Sequence, residues 1–345
     1  MKACRILASA TVALAATAIV STSAVTPARA QSAADFYKGK TLNIVVGFTT
    51  GGGFDANARL LSRYIGKYIP GNPNVIVQNM PGAASLTSVR YLDATAPKDG
   101  TVIDTYNFGL IGNAKMDPER IPVDFRKYAW IGSISVDLSA CFVWHTIPGK
   151  TIEEIKKHGQ LNFGLTEAGT SNDVNARIAK NIFGLNIKQI AGYPGSAEQK
   201  LAIERGELDG GCGNWSSMPP DWIADKKFTA FIKSSNITPP DMDPGVPWGA
   251  AIAPSDRARE LIKFILGAGE VGRPYMASLS VPKDRIAVLR TAFDASVKDP
   301  AFVAEAGKLR LPVSPKNGDE ALKVVEGLYA VSDDLGAEAK KVVTQ

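Results

Sequence analysis

The chain has 345 residues, 45% of them hydrophobic, with 39 Lys and Arg against 34 Asp and Glu and a formal net charge of +5. Three of the cations, Lys2, Arg5 and Arg29, lie in the first thirty residues, which hold no acid, so the remaining 315 residues carry about +2. Such near-neutrality excludes a nucleic-acid binder or a protein drawn to anionic membranes, and the length calls for two domains with substantial cores.

At the N-terminus, basic Lys2 and Arg5 precede an apolar, alanine-rich run from Ile6 to Val20, and Ala28-Arg29-Ala30 follows with small residues where a signal peptidase reads. This predicts a secretory signal peptide over 1–30, cleaved near Ala30, and an exported, periplasmic product. The run is too short and weakly apolar for a stable span, and no later stretch approaches the ~20 apolar residues that one requires. Cys4 leaves with the signal. Cys141 and Cys212 remain, and export permits either a disulfide between them or two small buried thiols.

From Leu42 the pattern alternates. Leu42 to Phe48 predicts a buried strand, and Asp55 to Ile69 a helix with Ala58, Leu61, Ile65 and Tyr68 on one face, ended by Pro70-Gly71-Asn72-Pro73. A strand at Val75 to Gln78, a helix at Leu86 to Ala94 and a strand at Thr101 to Tyr106 complete βαβαβ, which implies a parallel sheet. A second set follows: strands at Trp130 to Ser135 and Ala140 to Trp144, a short helix at Ile152 to His158, and a strand at Leu161 to Leu165. A helix at Asp173 to Phe183, closed by Gly184, precedes a strand at Ile187 to Ala191, a helix at Ala197 to Glu204 and a strand at Leu208 to Gly211. Seven prolines from Pro219 to Pro254 mark the return to the first domain, and the tail from Asp284 reads as helical. No repeat at a fixed period stands out. The expectation is an α/β protein of two lobes with a ligand cleft between them.

Gly51-Gly52-Gly53-Phe54-Asp55-Ala56, between a strand and a helix, fits the loose dinucleotide pattern G-x-G-x-x-G/A. Two facts count against it. No Asp or Glu lies between Ala56 and Tyr91 to hold a ribose, and an exported protein has no ready supply of reduced nicotinamide. No Gly-Lys-Ser/Thr follows to make a P-loop. What remains is a helix N-terminus whose exposed N–H groups and dipole favour an anion. The turn Pro81-Gly82-Ala83-Ala84-Ser85 repeats the placement, strand before and helix after, so the two can converge on one carboxylate. In the second lobe Thr170, Ser171 and Asn172 precede one helix, and Tyr193, Gly195 and Ser196 precede the next; these residues serve as caps, as ligand contacts, or as both.

Signs of catalysis are poor. No G-x-S-x-G elbow occurs, and His145 and His158 are too isolated for a triad or a zinc site. Trp215 and Trp248 serve either as cleft walls or as core, and Arg59, one turn into its helix, either faces outward or forms an ion pair. No cofactor, metal or nucleic-acid partner is expected.

The stretches "LNIVVGFTTGGGFDANARLL", "VIVQNMPGAASL", "APKDGTV", "LNFGLTEAGTSNDVNARI", "GYPGSAEQKLAIERGELDG" and "VPKDRIAVLRTAFDASVKDPAFVAEAGKLRLPV" resemble, in order and spacing, the Bug family. These are the periplasmic solute receptors of tripartite tricarboxylate transporters, and the likeness covers nearly the whole chain after the signal. It implies a two-lobed type II periplasmic binding protein, monomeric and not an enzyme, that closes like a flytrap on a small organic acid and delivers it to membrane permease subunits. The implied domains are lobe one, 31–135 with about 245–290; lobe two, 136–244; and a helical segment, 291–345, packing on both.

By the same resemblance Thr49, Thr50, Gly51, Gly52, Gly53, Phe54 and Asp55, with Pro81 to Ser85, bind a carboxylate, partly through ordered water. Lobe two contributes Thr166, Gly169, Thr170, Ser171, Tyr193, Gly195 and Ser196. This chain departs from the family at Leu165-Thr166-Glu167, where serines are common, at Asp173, often histidine, and at Ala84 and Ser85, usually two glycines. An Asp usual in the cleft corresponds to Asn214, which implies a receptor that does not prefer amino acids, because an ammonium group calls for an acid. Two alternatives use the same cleft: an exported α/β hydrolase, and a ligand-binding lobe that signals to a membrane sensor.

Overall fold

The computed structural model describes residues 33–345; the expected signal peptide lies outside them. Leu42, Ile44, Val45 and Val46 are fully buried in β1 (Thr41–Val46), which pairs in parallel with β2 (Asn74–Asn79) and β3 (Val102–Thr105). A strand buried on both faces reads as an unbroken apolar run, whereas β2, at the sheet edge, alternates in exposure. The next strand, β4 (Tyr128–Ser133), lies in the same sheet.

The chain then crosses to a second sheet. Its strands are β5 (Ser139–Trp144), β6 (Leu161–Gly164), β7 (Ile187–Ile190), β8 (Gly210–Asn214) and β9 (Phe228–Lys233), ordered β7-β6-β8-β5-β9. A second crossing over 234–273 returns to β10 (Pro274–Ser278), and β11 (Lys316–Asn317) completes a first sheet ordered β11-β4-β10-β3-β1-β2.

Both sheets are mixed, with most strands of each pointing the same way. β1, β2 and β3 run parallel, as do β6, β7 and β8, but β10 is antiparallel to β3 and β4, and β5 is antiparallel to β8 and β9. Parallel pairing needs a crossover that carries the chain back to the same sheet end. β5 and β10 instead follow a crossing from the other lobe, with no such return.

The helix after β1 spans Gly53–Tyr68 and buries Ala58, Leu60, Leu61, Tyr64 and Ile65. Tyr68, expected on that face, is 38% exposed and donates to Asp299 Oδ2 at 2.9 Å. Cys141 and Cys212 face each other in register across β5 and β8 and form a disulfide, which settles the alternative left open by the sequence.

The tail is helical apart from β11, and its last helix, Asp333–Thr344, touches both lobes. Lys115 Nζ meets Asp333 Oδ1 at 2.7 Å on one side, and Asn181 Nδ2 donates to the Val342 carbonyl at 2.6 Å on the other. Among the described residues no helix is long and apolar enough to cross a membrane.

Candidate functional site

Between the lobes lies a cavity of about 170 Å³, walled by the C-terminal ends of β1 and β8 and by the turns that follow the parallel strands. Of the residues expected to bind, Thr49, Gly52, Gly53, Phe54, Pro81, Gly82, Thr166, Thr170, Ser171, Gly195, Ser196 and Asn214 line it. Thr50, Gly51, Asp55, Ala83, Ala84, Ser85, Gly169 and Tyr193 lie outside its lining.

Three helices aim their N-termini at this space. The N-cap residues Gly52, Thr170 and Gly195 are extended, and none makes a side-chain cap hydrogen bond. Capping therefore does not account for Thr170, whose hydroxyl donates to the Glu167 carbonyl at 2.6 Å and also contacts Asn172 Oδ1. In the Thr170 helix Asn172 Oδ1 accepts the Asp173 N–H at 2.9 Å; the other first-turn N–H groups and the helix dipoles suit an anion.

Residues outside the lining hold the loops in shape. Asp55 is 3% exposed; its carboxylate accepts from the Gly51 N–H at 3.0 Å, from Arg59 Nε at 2.9 Å and from Asn79 Nδ2 at 2.9 Å. Burial alone would raise its pKa, but the bonds from Arg59, Gly51 and Asn79 outweigh that and hold the carboxyl below its usual range. Arg59 thus takes the ion-pair alternative. Ser85, fully buried, donates to the Gly47 carbonyl at 2.9 Å and accepts from the Asn107 N–H at 3.1 Å. A methyl group on Gly47 would stand 2.4 Å from Ser85 Cβ, so glycine is required where β1 meets the turn.

Lobe two uses the same clasp. Asp173, 1% exposed, accepts from the Gly169 N–H at 2.7 Å, from Arg177 Nε at 2.7 Å and from Gln189 Nε2 at 2.8 Å. Gly51 and Gly169 both adopt positive φ, +84° and +82°. Asn57 and Asn175 each donate to a carbonyl four residues back, at 2.8 and 2.7 Å. The shared pattern is G-x-x-x-D-x-N-A-R, read from Gly51 to Arg59 and again from Gly169 to Arg177. A search for a fixed period misses it, because it occurs only twice; it was visible as a short matched string.

Asn172, weighed as a cap or a ligand contact, also lines the cavity, and the sequence reading missed Gly47, Phe48, Asn107, Asp137, Glu167, Pro194, Gln199, Cys212, Gly213, Ser217 and Arg273. Asp137 and Arg273 come from the two inter-lobe crossings, far apart in sequence, and no local pattern marks them. Asp137 Oδ1 accepts from Asn214 Nδ2 at 2.9 Å, and its Oδ2 accepts from Ser139 Oγ at 2.5 Å. The cleft therefore holds an acid although Asn214 is not one. Arg273 Nη1 lies 3.7 Å from Asp137 Oδ1, and the guanidinium stands 4.5 Å from the centroid of the Phe54 ring. Burial pulls the Arg273 pKa below its ordinary value, while the Asp137 charge opposes that fall. Phe48 stacks on Phe54 at 4.5 Å, giving the cavity an aromatic wall.

Trp215 is 5% exposed and belongs to the lobe-two core, with its Nε1 donating to Asp241 Oδ1 at 2.6 Å; Trp248 lines a neighbouring pocket. His145 and His158 are exposed. No group of three or more His, Cys, Asp or Glu among the described residues is arranged to hold a metal ion.

No family model matches the chain. It is 26% identical over 195 residues to a UPF0065 protein of Bordetella pertussis, a match that spans 55% of this chain and 59% of that relative. The structure is similar to that of periplasmic binding protein BugD, with a TM-score of 0.68 at 20% identity over 89% of this chain and 98% of that one. It is also similar to MatC of Rhodopseudomonas palustris, solved with bound malate, with a TM-score of 0.66 at 18% identity over 88% and 99% of the two chains. The chain therefore shares the two-lobed fold of these periplasmic binding proteins.

Proposed function

We propose that the chain is a periplasmic, non-enzymatic receptor for a small organic dicarboxylate, which it hands to a tripartite tricarboxylate-type membrane permease. One observation carries this reading: the same glycine–aspartate–arginine clasp occurs in both lobes, and each presents an uncapped helix N-terminus to one cavity. Two matched anion-binding ends on separate lobes suit a ligand with a carboxylate at each end. Closure about the two crossings brings the ends together and excludes bulk water, which strengthens both contacts. MatC, a protein of the same fold, holds malate, itself a four-carbon dicarboxylate. The Phe48–Phe54 stack favours a second reading, an aromatic acid lying on that wall.

The test is a thermal-shift screen over mono-, di- and tricarboxylates, aromatic acids and amino acids, followed by calorimetry. A dicarboxylate is expected to raise Tm most and to bind with a micromolar Kd, about 8 kcal/mol. Indifference to every carboxylate, together with turnover of an ester, would remove the receptor reading in favour of a hydrolase. Copurification of the loaded form with a permease subunit tests delivery.

A further inference from the structure

Among the described residues, only two buried side-chain nitrogens lack a hydrogen-bond partner, Gln199 Nε2 and Arg273 Nε, and both line the same cavity. They come from opposite lobes and are 8% and 4% exposed. A buried N–H without an acceptor is costly, more so on a charged group, and such atoms ordinarily have a partner. The nearest acceptors serve other atoms, and the Asp137 ion pair, 3.7 Å from Arg273 Nη1, does not reach Arg273 Nε. Asp137 is held by Asn214 and Ser139, and Arg273 Nη1 donates to the Gly272 carbonyl at 2.5 Å. Gln199 Oε1 receives Asn172 Nδ2 at 3.5 Å, and the residue forms part of the cavity wall.

Each orphaned donor stands beside an uncapped helix N-terminus. An added methyl on Gly53 would lie 3.1 Å from Arg273 Nη2, so the guanidinium sits directly under the glycine loop. The Arg273 backbone is pinned as well, its N–H to Ser133 Oγ at 3.2 Å and its carbonyl to the Ile134 N–H at 3.1 Å. Gln199 lies in the first turn of Ser196–Glu204, whose N-cap Gly195 offers no side chain.

We propose that Arg273 and Gln199 are the side-chain donors of the ligand site, Arg273 taking one carboxylate at the lobe-one end and Gln199 the other at the lobe-two end. This rests on the dicarboxylate reading above and adds polarity to it. The cationic end captures the first carboxylate, so a monocarboxylate binds there, and the neutral end selects for the second.

Calorimetry with succinate, malate and adipate, and with butyrate as the monoacid, tests the assignment. Arg273→Gln is expected to weaken both the best diacid and butyrate by about 10- to 100-fold. Gln199→Leu is expected to weaken the diacid about tenfold and leave butyrate unchanged, and the isosteric Gln199→Glu to weaken the diacid further by like-charge repulsion. Circular dichroism and Tm establish that each variant folds. A folded Arg273→Gln that binds the diacid as the unmutated protein does overturns the assignment, as does an equal loss of diacid and butyrate in Gln199→Leu. Should Arg273→Gln fail to fold, undiminished diacid binding by Gln199→Glu overturns it alone. If none of the four acids binds the unmutated protein, the dicarboxylate reading falls with it; if one binds and the variants match it, only this assignment does.

Discussion

The Glu167 carboxylate of lobe two accepts the backbone N–H of Ala84 in lobe one at 2.5 Å. Gly82, Ala83, Ala84 and Ser85 all have positive φ; the Ser85 N–H returns to the Gly82 carbonyl at 3.0 Å, and the Ala84 N–H is left to meet Glu167. The sequence assigned this turn to a ligand carboxylate. In the structure a carboxylate of the chain itself fills the place, and Asn107 Nδ2, donating to the Gly169 carbonyl at 3.0 Å, makes a second contact across the cleft. The chain's own groups thereby link the two lobes. Glu167 is exposed, so its bond is screened and is worth about 1 kcal/mol or less. Glu167→Ala is therefore expected to shift the ligand-free protein several-fold toward an open form, read as a larger radius of gyration in solution scattering. An unchanged scattering curve would rule the contact out as a latch.

Asn214 donates to Asp137 beside Ser139, and its Oδ1 also accepts from the Ser216 N–H at 3.1 Å. Asn214→Asp keeps the second bond but sets a carboxylate against the Asp137 carboxylate. Dicarboxylate affinity is expected to fall and Tm to drop, by about 1–3 kcal/mol of stability for a buried hydrogen bond turned repulsive. Tighter diacid binding by Asn214→Asp in calorimetry would contradict this electrostatic account of the cleft.

The Cys141–Cys212 bond joins neighbouring strands across a sequence separation of 71, and Cys212 lines the cavity. A loop of that length limits the unfolded chain by about 4 kcal/mol in the chain-entropy model. Reduction, or the double change Cys141→Ala and Cys212→Ala, should lower the denaturant midpoint of lobe two accordingly. Identical unfolding curves with and without dithiothreitol would refute the contribution.

Asp104 is fully buried in β3, and burial pushes its carboxyl well above the ordinary value of 3.8, only partly opposed by the Ser88 hydroxyl and the Thr105 N–H. A raised folded pKa means that the unfolded chain releases this proton first as pH rises. The acid therefore costs nothing below about 3.8 and costs stability progressively above it. Asp104→Asn is expected to raise Tm at pH 7, with the gain shrinking toward pH 4. A gain independent of pH, or a loss at pH 7, would show that the group is not held neutral.

Much of the fold was legible. Strand β1 declared itself by a β-branched apolar run, and the helix Gly53–Tyr68 by its spacing and the Pro-Gly-Asn-Pro stop, since both signals act over a few residues. Tyr68 was misplaced because burial at a helix end depends on which neighbour covers it. The mixed strand directions were not visible, because direction depends on which lobe the chain arrives from. Local chemistry singled out the glycine loop and the Thr170 and Gly195 turns, which line the cavity, together with Asp55, Ala84 and Ser85, which lie outside the lining and bond to the protein itself. Glycine content and position show where backbone N–H groups are exposed, not which acceptor reaches them first.

The sequence by itself determined the alternation of strands and helices and the places of the glycine-rich turns, because those follow from short-range periodicity and backbone freedom. Tertiary structure alone decided that Cys141 meets Cys212, that Glu167 reaches Ala84, and that Asp137, Gln199 and Arg273 share one cavity. Those groups lie tens to more than a hundred residues apart. Their meeting is set by strand register and by two inter-lobe crossings, and neither leaves a mark on the residues beside them.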